Sequence, residues 1–371
     1  MNTGMNVNDL AVEIERQANS KRDLVTSTSN LAIELEDDVP SIVIADKEQF
    51  AIGDVAHGQL AEHTGIPKAY YDRMLVQEPK LYADSVNTWL HKNPADRMLR
   101  ILDAKMRAFL SNKYRRIDNI DLGAVALVAI KEAGMDVVSA GITEKHLYIK
   151  AVDPKIQRHI PNGFKMGDGS HQFFKVPSGD VCPAIMVRNS EVGFGNGEVV
   201  GGLLDGGCTN LAWMFKQRGM KKMHIGARLE VGEEMYRWLS DETQKVTDEA
   251  IFLQFRDAVR VAISVEGFDD LIEQVSATTL NKIEADPVKV VELTARKFMF
   301  NDTQRASILT HLVNGGDLSQ FGLSNAVTSM ANEQTDYDVS SLAEGVGGKI
   351  IELPKSEWKA LSSARDFKIA A

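Results

Sequence analysis

The sequence predicts an α+β fold: a central mixed or antiparallel sheet with a packed helix, flanked by an N-terminal helical region and a C-terminal helical region. Three observations support this prediction: a hairpin-like alternation over residues 97–116, further alternating runs up to residue 200, and helical spacing of apolar residues after residue 229. Charge divides the chain at similar places. Residues 1–95 and 229–371 have net charges of −7 and −10, whereas residues 96–228 have +7. We therefore predict an acidic, mostly helical region at 1–95, a basic sheet domain at 96–228 and an acidic helical region at 229–371.

The first region combines two strand-like runs, Leu31–Leu35 and Ser41–Ile44, with a helical pair. Residues 59–71 follow the helix, glycine turn and second helix of a helix-turn-helix. The second helix offers only Lys68 and Arg73 as cations, which is few for a DNA recognition helix. We favour a helical hairpin whose core side carries Leu60, Ile66, Tyr70 and Met74.

Residues 97–116, here called the basic hairpin, are the most informative stretch. With a two-residue loop at 103–104, Arg100 would lie directly across from Arg107. Like charges in that position destabilise a sheet, and a dense anionic partner would remove the penalty. The opposite face is apolar and suited to a core. The cationic face, which would also carry Phe109, therefore suits a nucleic-acid strand.

The rest of the basic region alternates between a helix and strands. A helix is expected from Asn119 to Ala133, stopped by Gly134. Strands are expected at Val137–Ala140, His146–Val152, Ala184–Val187 and Glu198–Val200. In the C-terminal region, a helical face is expected from Trp238, Ile251, Phe255, Val259 and Ile263. A short helix around Asn325–Asn332 and a final strand at Lys349–Leu353 complete the prediction.

A second basic run follows Trp213 and Phe215 and contains no acidic residue between Asp205 and Glu230. Cations beside aromatic side chains can neutralise a nucleic-acid backbone and stack on its bases. A solvated surface loop is the alternative interpretation. The cations of this run are Lys216, Arg218, Lys221, Lys222 and Arg228.

The sequence contains no complete catalytic motif. The glycines between residues 193 and 207 lack both the Gly-Lys-Ser/Thr end of a phosphate loop and the spacing of a dinucleotide fingerprint, so we interpret them as tight turns. The carboxylates of the basic region could bind a nuclease metal, although their spacing matches no ligand motif. They are Asp168, Asp180, Glu191, Glu198 and Asp205. We expect no cofactor.

The two cysteines, Cys182 and Cys208, form no C-x-x-C pair and are interpreted as free thiols in a reducing compartment. The longest apolar run, residues 123–130, is too short to span a bilayer, and the N-terminus has no apolar signal core. We therefore expect a cytoplasmic protein without a membrane partner.

Several stretches resemble a family of phage- and plasmid-encoded proteins of unknown function. The most specific is Arg107–Asn119, and Gln59–Asp72 also matches. Shorter matches are Asn189–Gly193, Cys208–Asn210, Asn325–Thr328 and Ala331–Asn332. The resemblance implies a mobile-element protein in a bacterial host cell. More remotely, the strand-strand-helix order with a basic sheet face is similar to that of single-strand annealing proteins of the Rad/Red type.

The sequence therefore predicts a homo-oligomeric phage protein that binds single-stranded DNA and promotes strand annealing in recombination or replication. Two alternatives stay open: a metal-dependent nuclease, and a protein-interaction factor that binds a host component through its acidic flanks. The expected phosphate-binding residues of the hairpin are Arg100, Lys105, Arg107, Lys113, Arg115 and Arg116, with the second basic run extending the groove. Phe109 and Tyr114 are the expected stacking residues.

Overall fold

The computed structural model describes residues 4–45, 48–112, 114, 117–160, 180–195, 197–205, 211–214, 241–262 and 265–365. Two sheets and twelve α-helices make up this part of the chain, so the predicted α+β class is confirmed.

Six strands form the first sheet: β1 (Arg22–Ser27), β2 (Leu31–Glu36), β3 (Val39–Ile44), β4 (Glu48–Ile52), β5 (Asp96–Leu102) and β6 (Lys105–Ser111). In space they lie in the order β1-β5-β6-β4-β3-β2. All neighbouring strands are antiparallel except β4 and β6, which are parallel. Because the basic hairpin pairs with β1 and β4, the predicted boundary after residue 95 falls within a sheet.

The turn of the basic hairpin lies at residues 103–104, as the sequence predicts. Asp103 and Ala104 have φ angles of 50° and 61°. This left-handed pair closes two-residue hairpins because its twist matches that of the strands. Leu102 accordingly pairs with Lys105 on either side of the turn.

A β-bulge changes the register farther from the turn. Arg100 pairs with Ala108 rather than with Arg107, so the predicted juxtaposition of the two arginines is wrong. Because side chains alternate along a strand, one extra residue in β6 moves every later side chain to the opposite face. Phe109 therefore pairs with Leu99 and is buried in the core, instead of lying on the cationic face.

Three helices cover the face of the first sheet that carries Leu99 and Phe109: α2 (Asp54–Thr64), α3 (Lys68–Gln77) and α4 (Pro79–Lys92). Gly65 ends α2 in the left-handed conformation, with a φ angle of 67°, as the helix-turn-helix pattern predicts. The core side of α3 differs from the prediction by one residue. Tyr71 is buried there, whereas Tyr70 is exposed.

The second sheet contains β7 (Asp136–Ile142), β8 (Leu147–Val152), β10 (Asp180–Asn189), β11 (Glu198–Asp205) and β12 (Leu211–Met214), while the short β9 (Arg158–His159) pairs with β10. The strands are antiparallel in the order β12-β11-β10-β8-β7. The helices on one face are α1 (Val7–Ser20), α5 (Asn119–Glu132) and α6 (Asp241–Ala262). Their shared core includes Ile149, Ile185, Val187 and Phe255.

Six further helices form the C-terminal region: α7 (Val265–Leu280), α8 (Pro287–Phe298), α9 (Asp302–Gly315), α10 (Gln320–Asn332), α11 (Tyr337–Ile351) and α12 (Lys355–Ser362). The predicted strand at Lys349–Leu353 is wrong, because α11 runs through its first residues. A Cβ atom on Gly347 would lie 2.3 Å from Thr328 Cγ2, so this glycine permits close packing of α10 and α11. Among the described helices, none has the length and apolar character needed to cross a bilayer.

Candidate nucleic-acid interface

Arg100, the cation expected to meet a phosphate, is buried between the two sheets. Its side chain is 2% exposed. The guanidinium donates hydrogen bonds to Asp23 at 2.9 Å, to Asp118 at 2.7 Å and to the carbonyl oxygen of Glu191 at 2.9 Å. The prediction of an exposed, phosphate-binding Arg100 is therefore corrected: its anionic partners come from the protein itself.

Arg107 belongs to the same arrangement. Its Nη2 donates to Glu191 Oε2 at 2.7 Å, and the other carboxylate oxygen of Glu191 accepts from the backbone N–H of Asn119 at 2.7 Å. Lys21 Nζ lies 2.6 Å from Asp118. Three cations and three carboxylates thus form one group, here called the ion cluster: Lys21, Asp23, Arg100, Arg107, Asp118 and Glu191.

The ion cluster favours the charged forms of Arg100 and Asp118 despite their burial. Burial alone would lower the pKa of the Arg100 guanidinium, but the charges of Asp23, Glu191 and Asp118 raise that pKa above its ordinary value. Burial alone would raise the pKa of Asp118, but Arg100 and Lys21 hold it below its ordinary value. The cluster is therefore an internal ionic junction between the sheets and leaves Arg100 unavailable to a ligand.

The loop that follows β10, residues 190–195, is held against the first sheet. Gln59 Nε2 donates to the carbonyl oxygen of Val192 at 2.8 Å, while Gln59 Oε1 accepts from the N–H of Phe109 at 2.7 Å. Gly193 has a φ angle of 98°, and a Cβ there would lie 2.9 Å from Leu110 Cδ2. Gln59 of α2, Phe109 and Leu110 of β6, and the loop 190–195 therefore meet at one contact region, here called the seam.

Tyr114 is anchored at this seam. Its hydroxyl donates to the carbonyl oxygen of Ser190 at 2.9 Å, and burial raises its pKa to about 12. Its ring packs beside a small apolar cluster that includes Leu110 and Val192. This contact corrects the expectation of a freely stacking Tyr114: the residue is instead bonded to the loop that follows β10.

The remaining residues that the sequence analysis selected for DNA binding do not join the ion cluster. Phe109 is buried, and Lys105 is exposed with its Nζ 3.0 Å from Glu144. The other predicted cations lie outside the described residues: Lys113, Arg115, Arg116, Lys216, Arg218, Lys221, Lys222 and Arg228.

Phe194, which the sequence analysis did not select, is the exposed aromatic residue of the seam. Its side chain is 47% exposed. Lys145 Nζ lies 5.5 Å from its ring centroid, and the His146 ring centroid lies 5.9 Å away. The backbone N–H of Phe194 donates to Ser190 Oγ at 3.1 Å. Its position between Gly193 and Gly195 marks a turn, but no feature of the sequence identified its ring as exposed.

A groove of about 750 Å³ runs beside Phe194. Its charged lining is one lysine, Lys145, and five carboxylates: Asp54, Glu62, Glu144, Asp336 and Asp338. Carboxylates repel phosphates, so most of this lining is unsuited to a polyanion, and Lys145 is the lining residue that could attract one.

Three of the carboxylates that could have bound a nuclease metal are each paired with a different basic residue of the protein. Glu191 belongs to the ion cluster, Glu198 is paired with Arg188, and Asp180 accepts from His159. Asp205 is buried, and Asp168 lies outside the described residues. Within the part of the chain that the structure describes, no group of three or more His, Cys, Asp or Glu side chains could hold a metal ion.

A scan against protein-family models finds no match to this chain, and searches of the curated proteins and of the solved structures find none either.

Proposed function

We propose that this protein binds single-stranded DNA and promotes strand annealing for a phage or other mobile element. One observation supports the proposal best: Ser190 contacts both aromatic residues of the seam. Its carbonyl oxygen accepts from Tyr114, in the middle of the basic run 113–116, and its hydroxyl accepts from the N–H of Phe194. Tyr114, which the sequence places between Lys113 and Arg115, and the exposed Phe194 are thereby bonded to the same residue of this loop.

This arrangement matches the two needs of single-strand binding. Cations neutralise the phosphates and release counterions, while an exposed ring offers its face to any base. Phe194 supplies the ring and Lys145 an adjacent cation. The run 113–116 supplies Lys113, Arg115 and Arg116. Annealing needs no cofactor in this proposal, because base pairing provides the free energy.

Self-assembly belongs to the same proposal. The basic block carries +7, whereas the regions before and after it carry −7 and −10. Opposite charges on neighbouring subunits attract, although salt screens them. A single strand lying across several subunits would add avidity. Analytical ultracentrifugation with and without an oligonucleotide tests this point, and a monomer under every condition would contradict it.

The direct test of function measures binding of labelled oligonucleotides by fluorescence anisotropy, together with annealing of two complementary strands. We expect tighter binding of single-stranded than of double-stranded DNA, and faster annealing with protein than without. The absence of single-strand binding would overturn the proposal. Strand cleavage that requires a divalent cation would point instead to the nuclease alternative.

A second candidate function is recognition of a cationic protein segment, and the acidic lining of the groove favours it. Its test is a synthetic lysine-rich peptide. If this function holds, the peptide binds and the exposed-site changes Glu62→Gln and Asp336→Asn weaken the binding, while the protein fails to bind oligonucleotides. Peptide binding that is unchanged by both substitutions would exclude the groove.

A further inference from the structure

We propose that the outer face of α4 is a second binding surface for single-stranded nucleic acid, with Trp89 as the stacking residue and Lys92 as the phosphate-binding cation. This inference rests on the proposed function and extends it to residues outside the seam. The two side chains, together with Leu81 on the same stripe of the helix, are here called the α4 platform.

The geometry of the α4 platform suits a nucleobase. The Trp89 side chain is 40% exposed, and Lys92 Nζ lies 4.7 Å from its ring centroid. Leu81, also exposed, precedes Trp89 by eight residues, which places both within one stripe of an α-helix. An indole that is exposed on one side and accompanied by an ammonium group provides both interactions that a single strand requires.

The other tryptophan side chain that the structure describes provides a contrast. Trp358 is 5% exposed and packs in the apolar core of the C-terminal helices. Burial of an indole in a core stabilises a fold, whereas exposure of one leaves apolar area in water. The indole of Trp89 instead keeps part of its ring surface available to a ligand.

The helix under the α4 platform is rigidly attached to the first sheet. The Asn87 side chain accepts from the N–H of Ile33 at 2.6 Å and donates to the carbonyl oxygen of the same residue at 3.0 Å. Thr28 Oγ1 donates to the carbonyl oxygen of Leu90 at 2.8 Å. A rigid support matters because a stacking ring that is already ordered loses little conformational entropy when a base binds.

The α4 platform is separate from the seam. Helix α4 packs on the face of the first sheet that carries Leu99, whereas Arg100 and the ion cluster lie on the opposite face. The sheet thus stands between α4 and the ion cluster, whereas the groove beside Phe194 is lined in part by α2, on the same face as α4. A strand on α4 would make contacts of its own, additional to those around Phe194.

Lys92 is the cation of α4 that lies beside Trp89. Lys80 and Lys92 are both exposed on α4, and His91 lies in its last turn. Asp84 is the exposed acidic residue of the same helix. Lys92 follows Trp89 by three residues and shares its side of the helix, whereas Lys80 precedes Trp89 by nine residues and lies on the opposite side.

The test uses the full-length protein and a labelled single-stranded oligonucleotide. We expect Trp89→Ala to weaken binding about fivefold or more, because the loss of one stacked base typically has at least this effect. Trp89→Phe should retain most of the affinity while removing the part of the tryptophan emission that a stacked base quenches. Lys92→Ala should make the salt dependence of binding shallower. The controls are Leu342→Ala and Lys289→Ala, which change exposed residues on other helices.

The possible outcomes distinguish this inference from the proposed function. If the wild-type protein binds no oligonucleotide, the proposed function fails and this inference fails with it. If the wild type binds, and Trp89→Ala matches the controls in affinity and Trp89→Phe retains the full quenching, only the α4 platform is overturned. A Trp89→Ala variant that changes sedimentation but not oligonucleotide binding would show a contact between protein copies, which also overturns the inference.

Discussion

Arg100 Nη1 donates to the carbonyl oxygen of Glu191 at 2.9 Å, and this hydrogen bond joins the first sheet to the loop that follows β10 of the second. The two residues are 91 positions apart in the chain. Since the acceptor is a backbone oxygen, this contact does not depend on the side chain at position 191. The carboxylate of Glu191 makes its own bonds to Arg107 and Asn119, so one residue connects the sheets in two independent ways.

Substitution of Glu191 tests the ion cluster. Glu191→Gln removes one of three carboxylates that balance three buried or half-buried cations. Removal of one member of such a group leaves uncompensated buried charge, so we expect the free energy of unfolding to fall by about 3 kcal/mol or more. Urea denaturation measures this change. The matched control is Glu144→Gln, which removes the exposed pair with Lys105 and should change stability by less than about 1 kcal/mol. Equal effects of the two substitutions would contradict the importance of the cluster.

The stability of the first sheet and its helices at acid pH should depend on His57 of α2. Burial lowers the pKa of His57 to about 4, and its Nδ1 lies 3.0 Å from the hydroxyl of Tyr71. The unfolded chain therefore takes up a proton near pH 6.5 that the folded protein takes up only near pH 4. The contribution of His57 to the free energy of unfolding is fully present above pH 6.5 and is lost as the pH falls toward 4. Between pH 7 and pH 5 this loss is about 2 kcal/mol.

The variant His57→Asn removes this titration and keeps a short polar side chain at the position. We expect its free energy of unfolding to change less than that of the wild type between pH 7 and pH 5. The other titrating groups are the same in both proteins, so their effects cancel in the comparison. Chemical denaturation at the two pH values measures the difference. An identical pH dependence in both proteins would show that His57 titrates normally in the fold.

Phe194 should contribute to nucleic-acid binding but not to stability. Because its ring is half-exposed, Phe194→Ala should change the free energy of unfolding by less than about 0.5 kcal/mol. Loss of a stacked base should weaken single-strand binding by about 1 kcal/mol or more. Phe194→Tyr, which keeps the ring, serves as the control in the same anisotropy titration. Wild-type affinity in Phe194→Ala would remove this residue from the interface.

The local parts of the fold were predictable from the sequence. The turn at Asp103 and Ala104, the turn at Gly65 and the helix that ends before Gly134 each depend on a few neighbouring residues. The register of the basic hairpin was not predictable from the sequence. A single bulge residue reverses the faces of a strand, and no residue type marks its position. The same limit explains Tyr70 and Tyr71, two adjacent tyrosines of which only the second meets the core.

The candidate site was less predictable, because the partners of its charges are distant in sequence. Asp23 lies 77 positions from Arg100, and Glu191 lies 84 positions from Arg107. A sequence shows how many charges a hairpin has but not which carboxylates will meet them. Exposure of Trp89 and Phe194 is likewise a property of packing. The sequence itself contributes the cations of the basic run 113–116 to the proposed interface.

The most direct test of the central claim is the salt dependence of single-strand binding by Arg115→Glu with Arg116→Glu. The control is Lys289→Glu with Arg305→Glu, which reverses two exposed cations on the C-terminal helices. We expect the first variant to bind more weakly than wild type. Its slope of log affinity against log salt should be shallower by about 1.4, because each lost phosphate contact on a single strand contributes about 0.7. The control variant should keep the wild-type slope. A slope and affinity of the first variant equal to those of wild type, in a protein that folds normally, would contradict the proposal that the seam binds single-stranded DNA.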